Sequence, residues 1–315
     1  MIKMLANALI PIFAGLLLGY AAGLRKVVDN KDVKSLITFV MSFALPCSLF
    51  VTIARTPHHL LWGQSKVAAV LTIVYLAVFA LTHFVSQRLG KDTAANSTVL
   101  ALTLGFPNAA AVGLPLLLAA YGNEAAVSVA VSIAIGSITI SPITLAILES
   151  STTEGKALST AARIRNSAWR AVRKPVVWAP VLGVLAVAID FDMPIYVERS
   201  LAILGSATAG TALFLTGLVV SAQRFRLNWG VCWSVVAKNF FQPALCLAVA
   251  RLLSLPLDET RFVVLICAIP CGFFGIVFGK GFNATPEIAS SSLIASYVVG
   301  IFTLAGWIVL LSHLH

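Results

Sequence analysis

Apolar residues in this chain do not alternate with polar ones at the period of an amphipathic helix or strand. They run on for about 20 residues at a time, and charged residues gather in short clusters between the runs. A helix needs about 20 mainly apolar residues to cross the hydrocarbon of a bilayer. Ten runs approach or exceed that length: 4–24, 35–54, 67–87, 95–121, 124–149, 175–190, 200–222, 229–254, 261–282 and 285–312. The pattern predicts an all-α polytopic membrane protein with ten transmembrane helices. The first run has the outline of a secretory signal, but from Met4 to Leu24 it is long enough to span and holds Pro11 well inside, so it reads as the first helix. Residues 150–174 form the one long connection, a basic linker at the midpoint. It separates a five-helix half at 1–149 from a second at 175–315.

Composition agrees with that pattern. The chain is 59% hydrophobic and 11% charged, where a soluble domain carries roughly a quarter charged residues. Its mean hydropathy is +0.95. A net charge of +10 in a soluble protein would suggest nucleic acid. Here the basic residues sit between spans, where they set orientation, and the bilayer is the expected partner. Of the 22 Lys and Arg residues, 15 fall on the side of the connections after odd-numbered spans, 6 on the other, and Lys238 lies within span eight. The richer side is expected to be cytoplasmic, which turns both termini outward. The five cysteines all lie in apolar runs without metal-ligand spacing and read as small core residues.

The fourth run breaks its own pattern. It contains TLGFPNAAAVGLPLL, residues 103–117, with Pro107 and Asn108 near its middle. Proline removes a helical donor and clashes with the preceding turn, and an amide is costly in hydrocarbon. Five spans per half is an odd number, so a duplicated second half enters the membrane inverted. At an offset of 163, Pro107 meets Pro270 and Glu124 meets Glu287; at 164, Leu49–Phe50 meets Leu213–Phe214. The partner stretch is AIPCGFFGIVFGKGF, residues 268–282. Paired Gly/Pro-interrupted spans in corresponding positions of two halves point to a transport site, because non-helical backbone is tolerated at depth only beside protein or a water-filled cavity. Spans four and nine are therefore expected to be broken and to cross at the membrane centre. Half-helix N-termini converging there offer N–H groups suited to a carboxylate.

The expected substrate-binding residues are Asn108, Pro107, Gly105, Pro270, Cys271, Gly272, Lys238 and Thr211. Asn108 is the leading one: its amide can donate to a carboxylate, cap the half-helix after Pro107, or do both. Lys238 lies near the middle of span eight, as a counter-charge for an anion or as a carbonyl-paired lysine that fixes helix packing. Thr208 and Thr211 of span seven are candidates to reach the same cavity. Ser132, Ser137, Thr139 and Ser141 of span five and Ser290, Ser291, Ser292 and Ser296 of span ten read as helix-packing residues. No carboxylate lies deep in a span, so a buried acid relay is not expected; coupling to H⁺ or Na⁺ stays open. No His-Glu-x-x-His, membrane aspartate pair or Ser/His dyad occurs in the spans, which excludes the familiar intramembrane enzymes and calls for no cofactor. A channel remains a rival, since half-helices also build pores.

With GFPNAAAVGLPLL (105–117), PVVWAPVLG (175–183) and AIPCGFFGIVFGKGFNATPEIASSSL (268–293), the chain resembles the auxin efflux carrier family of membrane permeases over nearly its whole length. Within it the resemblance is to bacterial members of the malonate-carrier type. The resemblance implies a crossover of spans four and nine, and one bundle moving by alternating access against a scaffold of spans one, two, six and seven. It also implies a bacterial inner-membrane location and a homodimer. The substrate it implies is a small organic anion, a dicarboxylate such as malonate, with an amphipathic monocarboxylate of the auxin type as the alternative. Phe106, Phe273 and Phe274 keep that alternative open.

Overall fold

Helix is the only extended regular structure among the described residues, as hydrocarbon requires of a backbone that must satisfy its own N–H and C=O groups. The computed structural model describes residues 2–30, 33–55, 64–151, 169, 173, 175–284 and 286–314. The basic linker expected at 150–174 lies almost wholly outside them. In chain order the helices are α1 (Ile2–Leu24), α2 (Lys34–Ala54), α3 (Ser65–Arg88), α4 (Ala94–Gly105), α5 (Ala109–Tyr121), α6 (Asn123–Ile138) and α7 (Ile140–Ser150). They continue with α8 (Pro175–Ala188), α9 (Ile195–Ser221), α10 (Trp229–Leu252), α11 (Leu257–Ala268), α12 (Phe274–Lys280) and α13 (Glu287–Ser312).

Among the described residues, six helical stretches are long and apolar enough to cross a membrane: α2, α3, α6 joined to α7, α9, α10 and α13. The runs expected as spans four and nine are each in two pieces. Two starts differ from expectation. Helix α9 begins at Ile195 rather than 200, because Pro194 sets its N-terminus and Glu198 occupies its first turn. Helix α11 begins at Leu257 rather than 261, with Asp258 and Glu259 in the first turn where the helix dipole favours acids. Arg261 in its second turn donates to the Leu311 and Leu314 carbonyls at the end of α13. All five thiols are free, and three are buried as expected. Cys232 is exposed on α10, however, and Cys47 is only half-buried, so the core reading fails for those two.

The chain falls into two compact units. The first gathers Met1–Ala68, Ala109–Ala134 and Val172–Ala222, which hold α1, α2, α5, α8, α9 and most of α6. In it α1 lies along α9 so closely that a Cβ at Gly19 would overlap the Phe214 carbonyl, and one at Gly217 the Leu16 carbonyl. Small residues allow such contact where lipid supplies no hydrophobic drive between helices. The second unit gathers Ala69–Asn108, Ile135–Ala171 and Gln223–His315, which hold most of α3 together with α4, α7 and α10–α13.

Among the described residues, three helices contain a single wide π-turn, at Val40–Ala44, Ala109–Gly113 and Ala237–Phe241. Each ends two residues before a proline: Pro46, Pro115 and Pro243. A proline ring clashes with the carbonyl four residues earlier, and in each case that residue (Ser42, Ala111, Asn239) is the centre of the π-turn. Widening the turn moves the carbonyl clear and lets the span continue. At Pro243 the freed Asn239 carbonyl takes a hydrogen bond from the Trp307 indole, at 2.9 Å.

Candidate functional site

The site is built from two interruptions in the second unit. Helix α4 starts at a Thr93 cap whose hydroxyl accepts the Asn96 N–H, and ends at Gly105. A residue before proline is driven out of the helical region, and Phe106, preceding Pro107, is extended at φ −107 and ψ 102. Helix α11 ends by the same rule: Ile269, preceding Pro270, lies at φ −58 and ψ 143. The two extended pieces lie antiparallel. Pro107 faces Cys271 in a single β-bridge, the Asn108 N–H donates to the Pro270 carbonyl at 3.1 Å, and the Gly272 N–H donates to the Thr103 carbonyl at 3.2 Å.

Two glycines permit this approach. A Cβ at Gly272 would overlap the Phe106 carbonyl, and one at Gly275 would overlap the Val99 carbonyl and Thr103. Aromatic rings close one side: Phe106 stacks on Phe274 at 5.7 Å, Phe274 meets Phe273 at 4.7 Å, and Tyr75 meets Phe106 at 5.9 Å.

Breaking two helices exposes carbonyls that hydrocarbon cannot satisfy. One turn of α10 answers both. Lys238 Nζ donates to the Cys267 carbonyl at 2.8 Å, in the last turn of α11, and Gln242 Nε2 donates to the Gly105 carbonyl at 3.0 Å, the last residue of α4. Lys238 also donates to Gln242 Oε1 at 2.7 Å, which joins the two caps into one clasp. A cation suits the negative end of a helix dipole. Both acceptors of this fully buried lysine are neutral oxygens, so its charge is solvated without being cancelled.

Asn108 is fully buried, and its Nδ2 donates to the Tyr297 hydroxyl of α13 at 2.6 Å. On the other break, the Cys271 N–H donates to Ser296 Oγ at 3.2 Å, and Ser296 Oγ donates to Asn239 Oδ1 at 2.7 Å. Asn239 Nδ2 reaches the Ser296 carbonyl and Thr303 Oγ1, both at 3.1 Å. The second break is thus held by α10 and α13 together.

Of the expected residues, Gly105, Pro107, Asn108, Lys238, Pro270, Cys271 and Gly272 come together in this unit. Thr211 does not: it is half-buried on α9 in the first unit. Thr208, also in the first unit, is buried. Gln242, Tyr297, Ser296 and Asn239 were not among the expected site residues. Gln242 had a readable signal, its four-residue spacing from Lys238 on one helix face. Ser296, read as a packing residue, caps the second break instead. Tyr297 lies 189 residues from its partner, and no local pattern announces it.

The family profile described as "Membrane transport protein" matches residues 4–308. A protein of Escherichia coli strain K12 named "Uncharacterized transporter YfdV" is 28% identical over 312 residues, covering 98% of each chain. A Rhizobium meliloti protein named "Putative malonate transporter" is 25% identical over 315 residues, covering 98% of this chain and 96% of its own. Auxin efflux carrier component 8 of Arabidopsis thaliana is 22% identical over 357 residues, covering 97% and 96% respectively.

Proposed function

This chain belongs to the membrane transport protein family that includes the auxin efflux carriers, and from that premise we propose that it is a secondary transporter of small organic anions, working by alternating access at the two crossed breaks. The observation that carries the reading is Lys238: a buried cation, joined to both helix ends at the crossover, whose hydrogen-bond partners are neutral oxygens. Buried charges are normally paired. An anionic substrate supplies the missing counter-charge.

In this reading Asn108 contacts the substrate. Its amide exchanges the neutral bond to the Tyr297 hydroxyl for a charge-assisted bond to a carboxylate, and bonds to charged groups contribute about 1.5–3 kcal/mol against about 1 for neutral ones. Gly105, Pro107, Pro270, Cys271 and Gly272 shape the crossing through their backbone, Lys238 supplies positive potential, and Thr211 is a second-rank candidate. The full architecture proposed is ten spans in two inverted repeats of five, 1–149 and 175–315, with spans four and nine broken. The matched positions of Pro107 and Pro270 support it. Lys/Arg asymmetry supports a bacterial inner-membrane orientation with both termini outward. A homodimer is proposed on the family resemblance alone.

A dicarboxylate such as malonate is the first substrate to test, because a relative of comparable length carries that name. The ring cluster of Phe106, Phe273 and Phe274 favours testing an auxin-type monocarboxylate beside it. The test is uptake of labelled malonate and indole-3-acetate into proteoliposomes, under imposed pH and Na⁺ gradients. Saturable uptake of either, lost at least tenfold in Asn108→Ala and partly kept in Asn108→Gln, is expected, and the effective gradient names the coupling ion. Uptake that survives Asn108→Ala unchanged contradicts the assignment.

A further inference from the structure

The first unit contains a cavity of about 630 Å³ within its own helices. That volume falls in the range of small-molecule sites, about 300–1,000 Å³. Its lining runs from Arg55, just beyond α2, and Glu124, in the first turn of α6, to Ser48, about two helical turns back along α2, and it takes in Ala202 to Ala209 of α9. Most of the wall is apolar, with Leu114 and Pro115 contributed by α5, the helix that begins immediately after Asn108.

Arg55 is ion-paired through Nη2 to Oε1 of Glu198 in the first turn of α9. The two partners differ in exposure: the arginine side chain is 57% accessible and the glutamate 12%. A nearly buried carboxylate needs its partner, because removing one member of such a pair leaves an uncompensated charge. Glu198 is therefore the anchor and Arg55 the half that faces out. A guanidinium carries five N–H donors in a planar fork matched to carboxylates, so one contact leaves donors over.

We propose that this cavity is a second binding site for the organic anion, in which Arg55, aimed by Glu198, holds the substrate carboxylate. The proposal rests on the transport reading above and adds a second recognition position to it. On the orientation given by the Lys/Arg asymmetry, Arg55, Glu124 and Glu198 all lie toward the outer face. Glu124 is exposed on the same lining, so the carboxylate is held on the Arg55 side and the carbon skeleton lies along the apolar wall. Glu198 is a positioning residue, since it acts through Arg55.

The test uses a cysteine probe inside the cavity. Ser206 lines it and is exposed, so Ser206→Cys is made in a full-length chain whose Cys47 and Cys232 are replaced by alanine, and transport by that variant is checked first. The rate of labelling by a membrane-impermeant maleimide is measured with malonate, indole-3-acetate, or malonamide as a size-matched neutral control. Malonate or indole-3-acetate is expected to slow labelling at least threefold, and malonamide to leave it unchanged. Arg55→Gln should raise the protecting concentration at least tenfold, Glu198→Gln a few-fold, and Arg55→Lys, which keeps a charge opposite Glu198, should retain part of the protection and the fold. Asn108→Ala should abolish transport and leave protection intact, which separates the cavity from the crossover. Protection by neither carboxylate, or protection undiminished in Arg55→Gln, overturns the proposal. Normal transport by Asn108→Ala would sink the crossover reading alone, with protection still deciding the cavity.

Discussion

Helices α3 and α10 both lie against a break, and they hold it by opposite chemistry. Lys238 and Gln242 of α10 stand 163 residues after Tyr75 and Phe79 of α3, the same offset that relates Pro107 to Pro270. On α10 the pair is polar and caps two helix ends by hydrogen bonds. On α3 the pair is aromatic and buried: a Cβ added at Gly105 would meet Phe79 at 3.5 Å, and Tyr75 packs on Phe106. The breaks differ in the same sense. Asn108 brings a side-chain amide to the first, while the second has Cys271 there and takes its cap from Ser296. Matching prolines give the two regions a shared geometry, and the residues around them divide the labour. One side is packing, and the other carries charge and donors.

That division can be broken from the outside inward. The largest effect is expected from Gly272→Val, whose side chain must enter the space of the Phe106 carbonyl; overpacking costs about 1–3 kcal/mol and here falls on backbone. Thermal unfolding in detergent should show a fall in Tm of several degrees, with transport lost. Lys238→Ala comes next. It leaves the Cys267 carbonyl and Gln242 Oε1 without their buried donor, a penalty of about 1–3 kcal/mol each, and removes the cation. Dicarboxylate uptake should fall more than monocarboxylate uptake; equal loss for both would remove Lys238 from substrate recognition and leave it a packing role.

Gln242→Leu keeps the cation but strips the cap from Gly105, so about 1–3 kcal/mol of stability should go while the ratio of the two uptake rates stays as in wild type. The smallest effect is expected at Phe79→Leu, a near volume-conserving swap costing less than about 1.5 kcal/mol. Its transport should stay within about threefold of wild type. A larger defect there than at Gln242→Leu would contradict the division drawn between α3 and α10.

How much of this was legible depended on sequence distance. Proline at membrane depth is a local signal, so Pro107 and Pro270 marked both breaks, and Asn108 and Gly272 followed as neighbours. The prolines at 46, 115 and 243 were visible, but not that a π-turn accommodates each. Lys238 was visible as a rare charge at depth, whereas its attachment to the Cys267 carbonyl, 29 residues on, was not. Tyr297 and Ser296 were hidden for a different reason: tyrosine and serine are ordinary in an apolar helix, and their partners lie in other helices. The α11 start was misplaced because Asp258 and Glu259 resemble a loop until their position in a helix's first turn is known. Thr211 was a candidate as a polar residue of span seven, and polarity within a span does not say which unit it joins.

The most direct test of the central claim is equilibrium binding of labelled malonate and indole-3-acetate to purified protein carrying Arg55→Gln, which silences the cavity of the first unit, comparing that background with the same protein to which Asn108→Ala, Lys238→Ala or Phe79→Leu has been added. The account predicts saturable binding of at least one anion that weakens tenfold or more in the first two variants and is nearly unchanged in the third. Saturable binding that survives both Asn108→Ala and Lys238→Ala would place the anion elsewhere and contradict the account.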